Sequence, residues 1–319
     1  MEQRKLSDIL QIKYPIILGG MALVGTAELA AAVSEAGAFG QIGAGGLEIP
    51  EIKEEIARIR SLTSKPFGVN IPIGRRTDME SFIKLMKAEK VKAVSLGGGN
   101  PLPYIAPLKE SGITVMAVVA SSYHAVKVAE AGADIIIAEG FEAGGHNSPL
   151  ELTTLTLLSS IVPRLSQPVV AAGGIVDGKG LAAALCLGAA GVQVGTRFMA
   201  TKECCAHPRY KEALVKAKET DTVVFGRGLG HLLRVLNSGF VKKYLGAGEK
   251  ELSQEQIIAL RSGNRNKIAV FDGDLQEGFA YAGQNLAPID RIITAAEVVE
   301  SFMQEAKEAI KQAAGVVKE

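Results

Sequence analysis

The stretch VVAAGGIVDGKGLAAALCLGAAGVQVGTR, Val169 to Arg197, contains one full unit of the chain's architecture. Val169–Ala171 is a short apolar run without polar alternation, the pattern of a strand buried on both faces in a parallel sheet. Ala172-Gly-Gly-Ile175 then makes a loop, and Gly178–Leu187 an Ala-rich helix stopped by Gly188, a residue suited to a left-handed cap. Gly191–Val194 is the next strand, with Gly195-Thr-Arg197 as its loop. Upstream the unit recurs. Strands are predicted at Pro15–Leu18, Ala38–Ile42, Phe67–Ile71, Ala93–Leu96, Thr114–Val118 and Ile135–Ala138. Helices Ala27–Ala36, Pro50–Leu62, Met79–Glu89, Ser122–Ala131 and Thr154–Leu165 fall between them. The glycine stop repeats at Ala36-Gly37, Ser111-Gly112 and Ala131-Gly132. Eight units at this spacing predict a closed (β/α)8 TIM barrel, with an open doubly wound α/β sheet as the alternative.

After Val194 the rhythm changes. Residues 200–275 carry more charge and show helical patterns with no strands between them. Ser253–Arg261 reads as a helix capped by Ser253, with Glu255 in its first turn. The expected organisation is a barrel over 1–200 and 276–319, with a mainly helical lid or substrate domain over 201–275. Ile293–Val317 is a long amphipathic helix expected to return to the barrel wall.

Composition excludes several classes. Of 319 residues, 47% are hydrophobic, and 35 Lys+Arg against 34 Asp+Glu leave a net charge of +1. Disorder needs the opposite balance, and a general nucleic-acid binder needs a basic excess. Glycine accounts for 36 residues, above the roughly 7% of average chains but without a collagen period. Cys186, Cys204 and Cys205 are too few for a disulfide framework and fit a reducing compartment. No apolar run approaches the ~20 residues that span a bilayer, and MEQRKLSDILQIKYP lacks a leader's apolar segment. A soluble, cytoplasmic protein with no nucleic-acid or membrane partner is expected.

In such a barrel the chemistry lies on the loops after the strands. Here they read Gly19-Gly-Met21, Gly68-Val-Asn70, Ser95-Leu-Gly-Gly-Gly-Asn-Pro101 and Glu139-Gly-Phe-Glu-Ala-Gly-Gly-His146, followed by the two loops of the opening stretch. Ala172-Gly173-Gly174 can expose backbone amides, and Gly195-Thr196 adds another amide and a hydroxyl. Together they predict an anion nest at the place where barrels often bind phosphate. No G-x-G-x-x-G with a following acidic residue supports a dinucleotide fold.

His146 is the candidate proton-handling group, because imidazole titrates near neutrality and small residues precede it in a strand-end loop. His124 and His207 read as surface residues, and His231 as either a lid turn or a substrate contact. No zinc-ligand spacing and no G-x-S-x-G elbow occurs, and the vicinal Cys204-Cys205 pair is a poor nucleophile. A metal-dependent aldolase or sugar-phosphate isomerase would want a Schiff-base lysine or a carboxylate cluster, and only Glu139 offers itself. A barrel that binds without catalysing is the remaining non-enzymatic reading.

Several of these motifs resemble the FMN-dependent nitronate monooxygenase (2-nitropropane dioxygenase) superfamily, which includes enoyl-ACP reductase II. They are Gly19-Gly-Met21, Gly68-Val-Asn70, Glu139 to His146, Ala171 to Ile175 and Gly191-Val-Gln-Val-Gly-Thr-Arg-Phe198. The resemblance runs from about Pro15 to Gln284. Thr222 to His231, Arg234-Val-Leu-Asn237, Asp272-Gly-Asp-Leu275 and Ala282-Gly-Gln284 are most similar to the reductase branch.

The resemblance implies FMN over the barrel mouth. Its ring system would lie against Gly20, Met21 and Asn70 near Gln193, and its phosphate on Gly173, Gly174, Gly195 and Thr196. Glu139, Gly145 and Ala172 complete the implied cofactor set, and Ala282 and Gln284 close the site. His146 is the implied active-site histidine. In the reductase branch NADH or NADPH supplies hydride for an enoyl thioester. In the monooxygenase branch an alkyl nitronate is oxidised with O2, and an NAD(P)H:quinone reductase is a third possibility. The basic residues Lys202, Arg209, Lys211, Lys216, Lys218 and Lys242-Lys243 are either an acyl carrier protein's docking face or a solvated one. A homodimer is expected.

Overall fold

The computed structural model describes residues 5–227, 232–246 and 264–317. Its strands, in chain order, are β1 (Ile16–Leu18), β2 (Gly40–Gly43), β3 (Phe67–Pro72), β4 (Ala93–Gly97), β5 (Thr114–Val119), β6 (Ile135–Glu139), β7 (Gly145–Asn147), β8 (Val169–Ala172), β9 (Gly191–Val194), β10 (Thr222–Phe225) and β11 (Leu232–Leu236). Eight of them form one parallel sheet in the order β1-β9-β8-β6-β5-β4-β3-β2. Its two ends then meet. Leu18 N donates to Phe39 O and Phe39 N to Ile16 O, both at 2.8 Å, beside an Ile17–Phe39 bridge. An open sheet keeps two unpaired edges, so the doubly wound alternative is excluded and the TIM barrel stands.

The inward residues of the lower strands, including Ile17, Phe39, Met116, Ile135, Ile137 and Val170, form an apolar plug. Leu6, Ile9 and Leu10 of the Leu6–Leu10 helix seal it from below. Gly191 permits that seal, since a β-carbon there would come within 2.7 Å of the Leu6 side chain. The outward residues pack against the surrounding helices in a second, larger core. The glycine stops behave as read: Gly37, Gly112, Gly132 and Gly188 have φ of +89°, +74°, +97° and +84°. The last helix, Ala295–Val317, does return to the wall and packs on the Gly178–Cys186 helix, where Glu305 accepts from Gly178 N at 2.8 Å.

The segment after β9, expected to be mainly helical with no strands between its helices, does contain strands. It contains the Pro208–Lys216 and Gly239–Gly246 helices, but also the antiparallel pair β10 and β11. The third strand of that sheet is β7, from the His146 loop. TVVF and LLRVL are each four or five residues long, too short to stand out by periodicity. Their pairing is held by burial of Phe225, Leu233 and Val235 against Phe240, Val241 and Phe279. The helix expected at Ser253–Arg261 and the His231 turn lie outside the described residues.

Candidate active site

Above the apolar plug the inward residues turn polar: Gln41 on β2, Asn70 on β3, Ser95 on β4, Glu139 on β6 and Gln193 on β9. Pairing of Asn70 with Ser95, of Glu139 with Ala172 and of Ala172 with Gln193 brings the members of these strands to similar heights. Four are joined by hydrogen bonds. Asn70 Nδ2 donates to Ser95 Oγ at 2.8 Å, and Ser95 Oγ donates to Gln41 Oε1 at 2.8 Å. Gln41 Nε2 donates to Leu18 O at 2.5 Å and to Gln193 Oε1 at 3.2 Å. Glu139 stands across this floor. The residue is half-buried, and burial pushes its carboxyl up to about 7. Near neutrality it is therefore divided between donor and acceptor forms.

The loops after β1, β2, β3 and β9 meet along one side of the mouth. A β-carbon on Gly20 would fall on the Asn70 side chain, and one on Gly43 on the Met21 carbonyl, so close approach requires glycine at both. Met21 Sδ in turn lies 3.5 Å from where a Gly195 β-carbon would be.

Next to these loops, after β8 and β9, lie the residues expected to form the anion nest. Gly173 and Gly174 have φ of +97° and +73°, and no described backbone group accepts from their amides. The Thr196 hydroxyl oxygen accepts from Gly283 N at 2.9 Å, leaving its proton to donate. Residues 282–285 stitch the neighbouring loops together: Gln284 N donates to Glu142 O at 2.8 Å and Asn285 Nδ2 to Gly174 O at 2.9 Å. Buried Ala282 presses on Gly144, where a β-carbon would come within 2.6 Å of its carbonyl carbon. Gln284 is exposed, and it contributes to the wall of a cavity of about 500 Å³ between the Thr154–Ile161 and Gly178–Cys186 helices. Leu155, Ala184 and Glu219 share that wall with Gly174. The Glu142 carboxylate accepts from Thr154 N at 3.0 Å and fixes the start of the first of those helices.

His146 sits on β7 opposite Leu233 of β11, exposed at the rim, its ring centroid 6.0 Å from that of Tyr281. Its strand is anchored from both sides. Buried Arg234, opposite Gly145, donates from Nε to Phe141 O at 3.0 Å and from Nη1 to Thr222 Oγ1 at 3.2 Å. The guanidinium also lies over the Phe141 ring, 4.8 Å from its centroid. The hydroxyl of buried Tyr210 donates to Tyr281 O at 2.8 Å.

The structure gathers the sequence-derived candidates Gly20, Met21, Asn70, Glu139, Gly145, His146, Ala172, Gly173, Gly174, Gln193, Gly195, Thr196 and Ala282 at the carboxyl end of the barrel. Other expectations change. His207 caps the Pro208–Lys216 helix, accepting from Arg209 N at 3.2 Å, whereas His124 is exposed. Lys211 is buried and donates to Thr201 O at 2.7 Å, so it drops out of the basic surface set. Burial pushes the Cys204 thiol up to about 11, consistent with an inert cysteine. Gln41 is not among the candidates that the sequence singles out, yet it joins the polar floor. Its signal was present, since one glutamine within the otherwise apolar Ala38–Ile42 run must find partners when buried.

Comparison with known proteins agrees with this fold. FabK from Thermotoga maritima is 43% identical, with a TM-score of 0.93 over 98% of this chain and 99% of that one. Nitroalkane oxidase from Streptomyces ansochromogenes is 31% identical, with a TM-score of 0.85 over 97% and 99%. Among curated relatives, a 5-hydroxy-7a-methyl-1-oxo-octahydro-1H-indene-4-carboxyl-CoA dehydrogenase from Mycobacterium tuberculosis is 32% identical over 98% of both chains. A probable nitronate monooxygenase from Staphylococcus saprophyticus is also 32% identical, over 95% of this chain and 98% of the relative. The match to the nitronate monooxygenase family covers residues 3–305, and the chain belongs to that family of oxidoreductases.

Proposed function

We propose that this oxidoreductase is an FMN-dependent reductase of enoyl thioesters that draws hydride from NADH or NADPH. The observation that carries the choice of substrate is the end-to-end likeness to FabK, an enoyl-ACP reductase II, at 43% identity and a TM-score of 0.93. Nitroalkane oxidase follows at 31% and 0.85. The carboxyl-CoA group in the name of the Mycobacterium relative points to the same class of substrate.

The residues fit FMN. Two left-handed glycines with unclaimed amides, next to a hydroxyl with a proton to give, suit a terminal phosphate at Gly173, Gly174, Gly195 and Thr196. Asn70 and Gln193 offer hydrogen bonds to a planar ring system, with Gly20, Met21, Glu139, Gly145 and Ala172 around it and Ala282 closing the loops behind. Bound there, FMN supplies hydride transfer between a nicotinamide and a carbon electrophile. The chain's own part is to bind, orient and move protons. The His146 imidazole acts at one of two steps: it donates to the thioester carbonyl oxygen as negative charge builds there, or it gives the α-carbon its proton and takes another from solvent. Exposed Lys202, Arg209, Lys216, Lys218, Lys242 and Lys243 meet an acidic acyl carrier protein, and the enzyme works as a cytoplasmic homodimer.

Nitronate oxidation is the second reading, favoured by the family match and the Staphylococcus relative, with His146 handling the α-proton of the nitronate. Replacing His146 with Ala tests its role on either reading. FMN content per chain stays at the wild-type level, and turnover falls by a factor of about 100 or more. Unchanged turnover removes His146 from the mechanism.

A further inference from the structure

Gln41 and Ser95 are fully buried in the barrel, yet neither is among the residues that the flavin reading places against the cofactor. Their hydrogen bonds admit one direction only. The Leu18 carbonyl can only accept, so the Gln41 atom facing it at 2.5 Å is the amide nitrogen. Gln41 Oε1 therefore faces Ser95, whose single hydroxyl proton is committed to it at 2.8 Å. With that proton spent, Ser95 Oγ can only accept, so Asn70 turns Nδ2 toward it and keeps Oδ1 as its unspent acceptor. At the other end the second Gln41 N–H donates to Gln193 Oε1, which leaves Gln193 with Nε2 as its unspent donor. Reversing either terminal amide sets two donors or two acceptors against each other in a buried layer.

We propose that Gln41 and Ser95 are positioning residues that fix Asn70 as an acceptor and Gln193 as a donor toward the flavin ring. The proposal rests on the FMN reading and adds to it the polarity of the floor. The pyrimidine edge of an isoalloxazine carries an N–H flanked by two carbonyl oxygens, so it needs both an acceptor and a donor. An amide free to rotate would offer the wrong atom part of the time. One set to the right face is preorganised, and hydrogen bonds at that edge tune the electronics of the ring.

The test uses the full-length chain purified with FMN, in wild-type form and as Gln41→Leu, Ser95→Ala and Ser95→Thr. FMN affinity is read by fluorescence quenching, alongside the visible spectrum and reduction potential of the bound flavin and the melting temperature of the flavin-free chain. Gln41→Leu and Ser95→Ala are expected to bind FMN about tenfold or more weakly and to shift both the visible band and the potential. Ser95→Thr, which keeps the hydroxyl, restores the wild-type spectrum and potential. If Gln41→Leu does not fold, Ser95→Ala carries the test, since it removes one oxygen. Spectrum, potential and affinity unchanged in Ser95→Ala overturn the proposal while leaving the FMN reading intact. A wild-type chain that takes up no FMN overturns both.

Discussion

Replacing Glu139 with Gln should change how stability responds to pH. Burial holds the native carboxyl's pKa near 7, against an ordinary value of 4.5 for the unfolded chain, so folding takes up a proton between those values. The native form is fully favoured below pH 4.5. Between 4.5 and about 7 it loses stability by about 1.4 kcal/mol per pH unit, because the unfolded chain binds fewer protons than the native one. The loss levels off near pH 8 at no more than about 3.5 kcal/mol, and the partial exposure of the residue reduces it. Glutamine has nearly the same shape and cannot ionise, so the variant lacks this loss. Urea unfolding of the flavin-free wild type and variant at pH 5, 6, 7, 8 and 9 gives the difference directly. It should favour the variant increasingly with pH and then become flat. A difference independent of pH would show that the carboxyl ionises normally, and the burial described above would be wrong.

The other predictions concern glycines. Gly178→Val drives a side chain into the last helix, where its β-carbon would meet Phe302 O and lie 2.5 Å from Glu305 Cβ. A loss of at least about 2 kcal/mol is expected in thermal or urea unfolding, and an unchanged midpoint would mean that the two helices are not packed as described. Gly174→Val acts on binding, because φ of +73° and a Glu142 Cβ 3.1 Å from the new β-carbon oppose it. Flavin absorbance per chain should fall severalfold while circular dichroism is kept, and full occupancy would move the phosphate elsewhere.

The parts of the fold legible in the sequence were those with a repeating local signal. The eight barrel strands were short, mainly apolar runs with little polar alternation, and the helix ends carried glycines whose left-handed backbone needs them. The Leu6–Leu10 helix was too short for a periodic pattern, and it is held by the barrel plug rather than by its own propensity. The β7-β10-β11 sheet was hidden for another reason. Besides the shortness of β10 and β11, their third partner β7 comes from about 75 residues earlier and lies within a glycine-rich loop that reads as a loop. At the site, the glycine loops and His146 were visible because position at a strand end singles them out. The burial of Lys211, the capping role of His207 and the Gln41–Ser95 relay depend on tertiary partners that no local pattern records.

In the proposed reaction a bound flavin accepts hydride from a nicotinamide and passes it to an enoyl thioester. Anaerobic stopped-flow mixing of the flavin-loaded protein with NADH, NADPH or an alkyl nitronate, followed at the flavin absorbance band, tests it most directly. Bleaching by a nicotinamide that is reversed by crotonyl-CoA or a longer enoyl thioester is the predicted result. Bleaching by nitronate alone would contradict it and assign the chain to nitronate oxidation.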